Sequence, residues 1–241
     1  MTCRLIDLRA LRAAEPERFA ALWRDFRPIY IEAFPTPSER EDETTWLPWL
    51  DRDDPPPQPW FDLSLALAPE SDSVLGAPVY EYYRGRNARL STYLLVRRER
   101  RGRGIGRTLA EHMHTRMRAM ARASGADAPI CYAEAQDPDL LDAEHRASAR
   151  ERLAIYARLG ARRLDIPYVQ PALAPGKVPA RHLTLLAFGV PEVLGAAPVL
   201  RFLAEYYRAL EIAAPDSDPD FRRARTAARE KIRTYIPNAA R

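Results

Sequence analysis

Leu94-Leu-Val-Arg-Arg-Glu-Arg-Arg-Gly-Arg-Gly-Ile-Gly-Arg-Thr108 reads as a strand that runs through a basic, glycine-rich turn into a helix. Three of the ten glycines in the chain stand at 102, 104 and 106. Glycines there let successive backbone N–H groups face one anion, and the helix N-terminus adds its partial positive charge. Six arginines, at 97, 98, 100, 101, 103 and 107, surround a single carboxylate, Glu99. Their excess suits a ligand carrying about four negative charges on a diphosphate and a phosphate monoester. Two other phosphate loops do not fit. G-x-G-x-x-G is broken because Arg107 follows Gly106, and G-x-x-x-x-G-K-[ST] lacks its lysine.

Downstream of the turn, Ile105, Leu109, Met113, Met117 and Met120 form an apolar stripe at helical spacing, ending near Ser124-Gly125. The methionines read as core. Upstream, Phe61, Leu63, Leu65 and Leu67 alternate with Asp62, Ser64 and Ala66, as in a strand with one apolar face. Val79–Arg84 and Arg89–Val96 are two more strands, joined by Gly85-Arg86-Asn87. Further upstream, Leu5–Leu8 predicts a strand, and Phe19, Leu22, Phe26, Ile29, Tyr30 and Ala33 mark a helix with Pro28 as a site for a kink. A capping box at Ser38-Glu-Arg-Glu41 predicts a helix running towards Trp46, stopped by the proline-rich segment 51–59. Beyond the stripe come a strand at Pro129–Ala133, a helix at Ala143–Leu159 ending on Gly160, and strands at Arg163–Gln170 and His182–Val190. After Pro191 two helices are expected. One presents Val199, Phe202, Leu203, Tyr206 and Leu210, and the other, capped by Asp218-Pro219, presents Phe221, Ala224, Ala228, Ile232 and Tyr235.

The chain has 241 residues, 46% apolar and 29% charged, with a formal net charge of +4. That is the composition of a folded protein with a sizeable core. No apolar run is long enough to span a bilayer and the N-terminus does not read as a signal peptide, so a cytoplasmic protein without membrane contact is expected. Two cysteines, Cys3 and Cys131, exclude cysteine-rich zinc modules and a disulfide scaffold. His112, His114, His145 and His182 share no metal-ligand spacing with carboxylates, so no metal is expected. Arginine supplies nearly all the positive charge, since Lys177 and Lys231 are the only lysines; coding bias in an Ala/Arg/Pro-rich chain accounts for the same excess.

Arg101-Gly-Arg-Gly-Ile-Gly106, with Val96 five residues before it, resembles the V-x-x-x-x-R-x-x-G-x-G acyl-CoA pyrophosphate loop of the GNAT superfamily, the GCN-five-related N-acetyltransferases. Tyr156-Ala-Arg-Leu-Gly160-Ala161 is similar to the same family's Y-x-x-x-G-[FA] segment. The resemblance covers residues 3–190. It implies an α/β (α+β) fold with a mixed, mostly antiparallel central sheet, splayed in the middle and flanked by helices. The expected organisation is a GNAT-like acyltransferase domain at 1–190, followed at 191–241 by a C-terminal helical extension that packs on the core or lies in a homodimer interface.

The resemblance also implies a reaction: transfer of an acetyl or other short acyl group from acyl-CoA, held as co-substrate, to an amine by direct attack. Leu94, Leu95, Val96, Arg101, Gly102, Arg103, Gly104, Ile105, Gly106 and Arg107 inherit the CoA-binding role, the pantetheine arm lying between Leu94–Val96 and Cys131–Ala133. Tyr156 inherits the place of the general acid beside the CoA sulfur. Many relatives carry a glutamate on the strand before the loop, which Arg89–Val96 lacks. Glu134, ending the next strand, is therefore the expected base, with Glu81 the other candidate. Glu81, Tyr82, Tyr168 and Gln170 are the expected acceptor-binding residues, and a small amine is preferred over a protein tail. Two other functions stay open at this point. One is a GNAT-like protein that binds acyl-CoA without turnover. The other is nucleic-acid binding through Arg97–Arg107 and the cluster Arg222, Arg223, Arg225, Arg229, Lys231 and Arg233.

Overall fold

Strand β1 (Arg4–Asp7) ends on an aspartate whose carboxylate accepts the N–H groups of Arg9 and Ala10 and so starts helix α1 (Leu8–Ala14). The computed structural model describes residues 3–37, 40–52, 58–123 and 125–237, which fall into two units. The first unit continues with α2 (Pro16–Ala33), α3 (Trp46–Asp51), β2 (Trp60–Leu67), β3 (Val74–Tyr83), β4 (Ala88–Val96) and α4 (Ile105–Ala123). Its strands are ordered β1-β2-β3-β4, with antiparallel registers such as Ile6↔Leu65 and Leu63↔Val79. Helix α2 runs unbroken through Pro28 and buries Phe19, Leu22, Trp23, Phe26, Ile29 and Tyr30. These pack with Trp46, Phe61 and Tyr93 in an aromatic cluster, Tyr30 and Trp46 having ring centroids 4.8 Å apart.

Two expectations are corrected in this unit. The helix predicted from the capping box is instead a short turn at Glu43–Thr45 followed by α3; Ser38 and Glu39 lie outside the described residues, as do 53–57 of the proline-rich segment. Glu41 is taken by the Trp46 indole, whose Nε1 donates at 2.6 Å, while Asp42 caps the turn through the Thr44 N–H at 3.0 Å. Strand β2 is buried on both faces rather than one. Its polar face lies under α4: Tyr80 donates to Asp62 at 2.7 Å, Arg116 bridges Asp62 and Asp7, and His112 Nε2 stands 3.3 Å from Ser64 Oγ. Strand β3 also begins earlier than predicted. Gly76 allows this, because a Cβ there would collide with the Leu95 carbonyl.

The second unit takes in Tyr83–Leu90 and the chain from Pro129 onward. It contains β5 (Ile130–Gln136), α5 (Ala143–Arg158), β6 (Ala161–Leu164), β7 (Leu183–Phe188), β8 (Val193–Gly195), α6 (Ala196–Ala209), α7 (Pro219–Ala228) and β9 (Lys231–Tyr235). The strand order is β5-β7-β6-β9-β8, each of these pairs antiparallel. Helix α6 buries Val199, Phe202 and Leu203, and Phe202 stacks on Tyr132 with centroids 4.2 Å apart. Each such side chain stabilises the unit by about 1.5–3 kcal/mol.

Two segments of this unit depart from the pattern of their sequence. The strand expected at Arg163–Gln170 stops at Leu164, since Pro167 has no N–H for a ladder; only a bridge from Gln170 to Ala180 follows. The last helix ends at Ala228, as Arg229 adopts φ 45°, and Ile232 and Tyr235 belong to β9. That strand pairs with β6 through Arg163↔Tyr235 and Leu164↔Thr234, burying Ile232 and Thr234 at a period of two. Residues 191–237 thus hold strands as well as helices, where helices alone are expected.

Candidate active site

Beyond Val96 the backbone of β4 is turned by Arg97. Its N–H donates to the Leu75 carbonyl at 2.8 Å, its Nε to the Val74 carbonyl at 2.8 Å, and its guanidinium pairs with Asp25 at 2.8 Å. Arg97 therefore anchors the turn and is no free cation. A single 3-10 turn, Arg98–Arg100, leads to Gly102 and Gly104 at φ +73° and +82°, a region disfavoured for any residue with a Cβ. A Cβ at either position would meet nothing within 4 Å, so these glycines serve the bend and leave open space over it. Buried Ile105 fastens the far end to Leu109, Leu94 and Val96, while Leu95 points to the other side of β4 among the aromatic cluster. The N–H of Thr108 donates to Gly104 O at 3.1 Å, which leaves the N–H groups of Ile105, Gly106 and Arg107 in the unbonded first turn of α4.

The cations around this bend differ in availability. Arg98, Arg101 and Arg103 are exposed and have no carboxylate partner among the described residues; Arg101 Nε donates to the Val96 carbonyl at 3.1 Å. Arg107 shares Glu111 at 2.9 Å. First-turn amides, a helix dipole and exposed guanidinium groups are donors of the kind that a polyanion such as a diphosphate takes.

In the second unit β5 sends alternate side chains to opposite faces. Tyr132 and Glu134 face α6, whereas Cys131, Ala133 and Ala135 face the other way, the two alanines packing with Leu153, Tyr156 and Leu186. Glu134 is half-buried, and three donors converge on it. Tyr168 and Tyr206 both donate to Oε1, the latter at 3.2 Å, and Gln170 Nε2 donates to Oε2 at 2.7 Å. Burial pushes the Glu134 carboxyl up, and the three donors oppose that rise. The structure thus brings together three residues singled out in the sequence, Glu134, Tyr168 and Gln170. It adds Tyr206, which sequence periodicity assigns to plain packing on α6. No local signal separates a buried tyrosine that donates from one that only packs.

Tyr156 lies on the opposite face of β5 from Glu134. Its ring stands 6.2 Å from Phe188, and its hydroxyl takes no hydrogen bond among the described residues. Burial pushes this phenol up to about 12, with Arg152 acting against the rise. Two further candidates lie on β3. Tyr82 is 1% exposed and packs with Tyr80, Met113 and Met117, which accounts for it as a core residue. Glu81, also buried on β3, stands opposite Phe61 of β2. No group of three or more metal-ligating side chains occurs among the described residues. The C-terminal basic cluster is divided between α7 and β9. Arg225 pairs with Asp216 and Arg223 with Asp220, while Arg222, Arg223 and Arg229 line an open cavity of about 820 Å³ beside Pro167 and Pro219. No helix among the described residues is long and apolar enough to cross a membrane.

The acetyltransferase (GNAT) family model matches residues 20–140. Among solved structures, one described as an acetyltransferase of the GNAT family from Bacteroides thetaiotaomicron is 16% identical, with a TM-score of 0.57 over 88% of this chain and 97% of that one. An aminoglycoside 6'-N-acetyltransferase complexed with coenzyme A is also 16% identical, covering 78% of this chain and 96% of its own, at a TM-score of 0.48. The ribosomal-protein-S18-alanine N-acetyltransferase from Escherichia coli is 13% identical, covering 78% and 93%, at 0.45. No curated protein matches the chain. The first of these likenesses shows the fold. The family match spans just over half of the chain and contains the whole turn from Arg97 to Arg107, so the chain belongs to the acetyltransferase (GNAT) family.

Proposed function

We propose that the protein is an N-acetyltransferase that moves the acetyl group of acetyl-CoA, or a close short-chain relative, to a small amine. The observation that carries the reading is the turn at 101–107. Two left-handed glycines, the unbonded first-turn amides of α4, and Arg101 and Arg103, which have no carboxylate partner among the described residues, offer the donors that a diphosphate requires. Main-chain groups of Leu94–Val96 would hold the pantetheine arm. Acetyl-CoA supplies a thioester whose carbonyl carbon is open to attack by nitrogen.

Two tasks fall to side chains. An alkylammonium group titrates near 10, so a base must take its proton near neutral pH, and Glu134 is the half-buried carboxylate suited to do so. As the C–N bond forms and the C–S bond breaks, the departing sulfur gathers negative charge. Tyr156 is fully protonated at neutral pH, because burial holds it near 12, and it can donate to that sulfur. A thiol titrates near 8.5, so complete proton transfer from such a phenol is uphill. Tyr156 would stabilise the leaving sulfur chiefly as a hydrogen-bond donor. Tyr168 and Gln170, on the segment beside Glu134, would border the acceptor amine.

Native mass measurement after adding acetyl-CoA, followed by thiol release against a panel of small amines and lysine peptides, tests the proposal. Acetylation of a small amine supports it. Binding without release for every amine would leave an acyl-CoA-binding protein, and absence of binding would remove the assignment of the turn.

A further inference from the structure

The carboxylate of Glu134 is approached unevenly. Its two oxygens offer about four lone-pair sites. Oε1 accepts two hydroxyl groups, from Tyr168 and from Tyr206 at 3.2 Å, and is filled. Oε2 accepts one N–H among the described residues, from Gln170 at 2.7 Å, and so keeps one site. Tyr206 is rigidly placed for this contact: it is 4% exposed, and its ring lies parallel to Phe202 at 6.0 Å and edge-on to Tyr83 at 6.3 Å.

We propose that Tyr206, on a helix outside the family-matched residues, is a positioning residue of the acceptor site, holding Oε1 of Glu134 together with Tyr168 so that Oε2 is the oxygen that meets the amine. This rests on the reading of Glu134 as the base. The electrostatic surroundings of that carboxylate are simple. The titratable groups on its side of β5 are phenols, Tyr168 after β6 and Tyr206 and Tyr207 on α6; Tyr156 of α5 lies behind the strand, and the residue paired with Glu134 on β7 is Leu185. It makes no ion pair among the described residues, so hydroxyl and amide donors alone offset its burial. Removing one of them must raise its proton affinity.

Tyr206→Phe keeps the ring and deletes the donor. The acid limb of kcat/KM for a reactive amine should move up by about one pH unit, a tenfold gain in proton affinity. The rate well above that limb should fall about three- to tenfold, because Oε2 is held less firmly toward the amine, whereas the KM for acetyl-CoA should stay within about twofold of wild type. A role in packing alone would not move the limb. Tyr168→Phe should shift it in the same direction. An infrared titration of the carboxylate, read as the difference between each protein and its Glu134→Gln counterpart, follows the same shift without any amine present. A limb and an infrared titration both within about 0.2 units of wild type in Tyr206→Phe would overturn the inference, even while a large loss in Glu134→Gln upholds the base. If Glu134→Gln keeps the wild-type rate and pH profile, the reading of the base fails, and this inference with it.

Discussion

Replacing Arg101 and Arg103 with glutamine tests the proposed diphosphate site most directly. Both side chains are exposed and neither is neutralised by a carboxylate among the described residues, so their loss should leave the fold intact. Arg101 gives up one hydrogen bond, from Nε to the Val96 carbonyl at 3.1 Å. A hydrogen bond to a charged group contributes about 1.5–3 kcal/mol when shielded from water. These guanidinium groups are solvated, which reduces each to roughly 1 kcal/mol by the standards of exposed ion pairs. Two of them amount to about 2 kcal/mol, and since 1.4 kcal/mol is a factor of ten, the Kd for CoA should rise roughly 10- to 50-fold. Isothermal titration at low and high salt provides the readout, with the gap between wild type and variant narrowing at high salt as screening grows. Arg107→Gln is the internal comparison. Its guanidinium already shares Glu111 at 2.9 Å, so it should cost less than either of the others. Affinity equal to wild type at low salt, in a folded double variant, would refute the assignment of the turn.

Further expectations concern turnover and stability. Tyr156→Phe should cut kcat by tenfold or more and leave acetyl-CoA affinity unchanged; equal turnover would remove the donor role for the leaving sulfur. Gly104→Ala forces a Cβ into φ +82° with nothing crowding it, so the cost is backbone strain of about 1–2 kcal/mol, visible as a lower Tm. A Tm equal to wild type would show that the bend relaxes without glycine. His112 has its pKa lowered first by burial and then by Arg116, with Asp7 opposing. Between its folded value and the ordinary 6.5 the unfolded chain binds more protons, so stability should rise with pH across that window and fall as pH drops through it. Denaturant titrations of wild type and His112→Gln at pH 7.5 and 5.5 measure this: the variant should lose less stability on acidification, and parallel losses would contradict it.

What could be read in the chain alone was local. The strand, glycine bend and apolar stripe of Leu94–Met120 lie within a few turns of one another, as do the cap and first helical position at Asp218-Pro219, whose aspartate accepts the N–H groups of Asp220 and Phe221. Such features depend on backbone angles and on contacts a few residues apart, so residue type reports them directly. The same holds for Gly160, at φ +85° just after α5. What the sequence could not report was set by pairing across distance. Ile232 and Tyr235 keep a helical spacing with Phe221, Ala224 and Ala228, yet the free edge of β6 draws them into a strand about 70 residues from its partner. Glu41 completes a capping pattern in the sequence, but the indole of Trp46 takes its carboxylate. Glu134 could be named as a carboxylate of the strand after the loop, although β5 runs on to Gln136 rather than ending there; that it is gripped by Tyr168, Gln170 and Tyr206, the last 72 residues away, was decided by the placement of α6 on β5. Local geometry is encoded residue by residue, whereas the surroundings of a buried charge are made by whichever distant donors the packing of the core delivers.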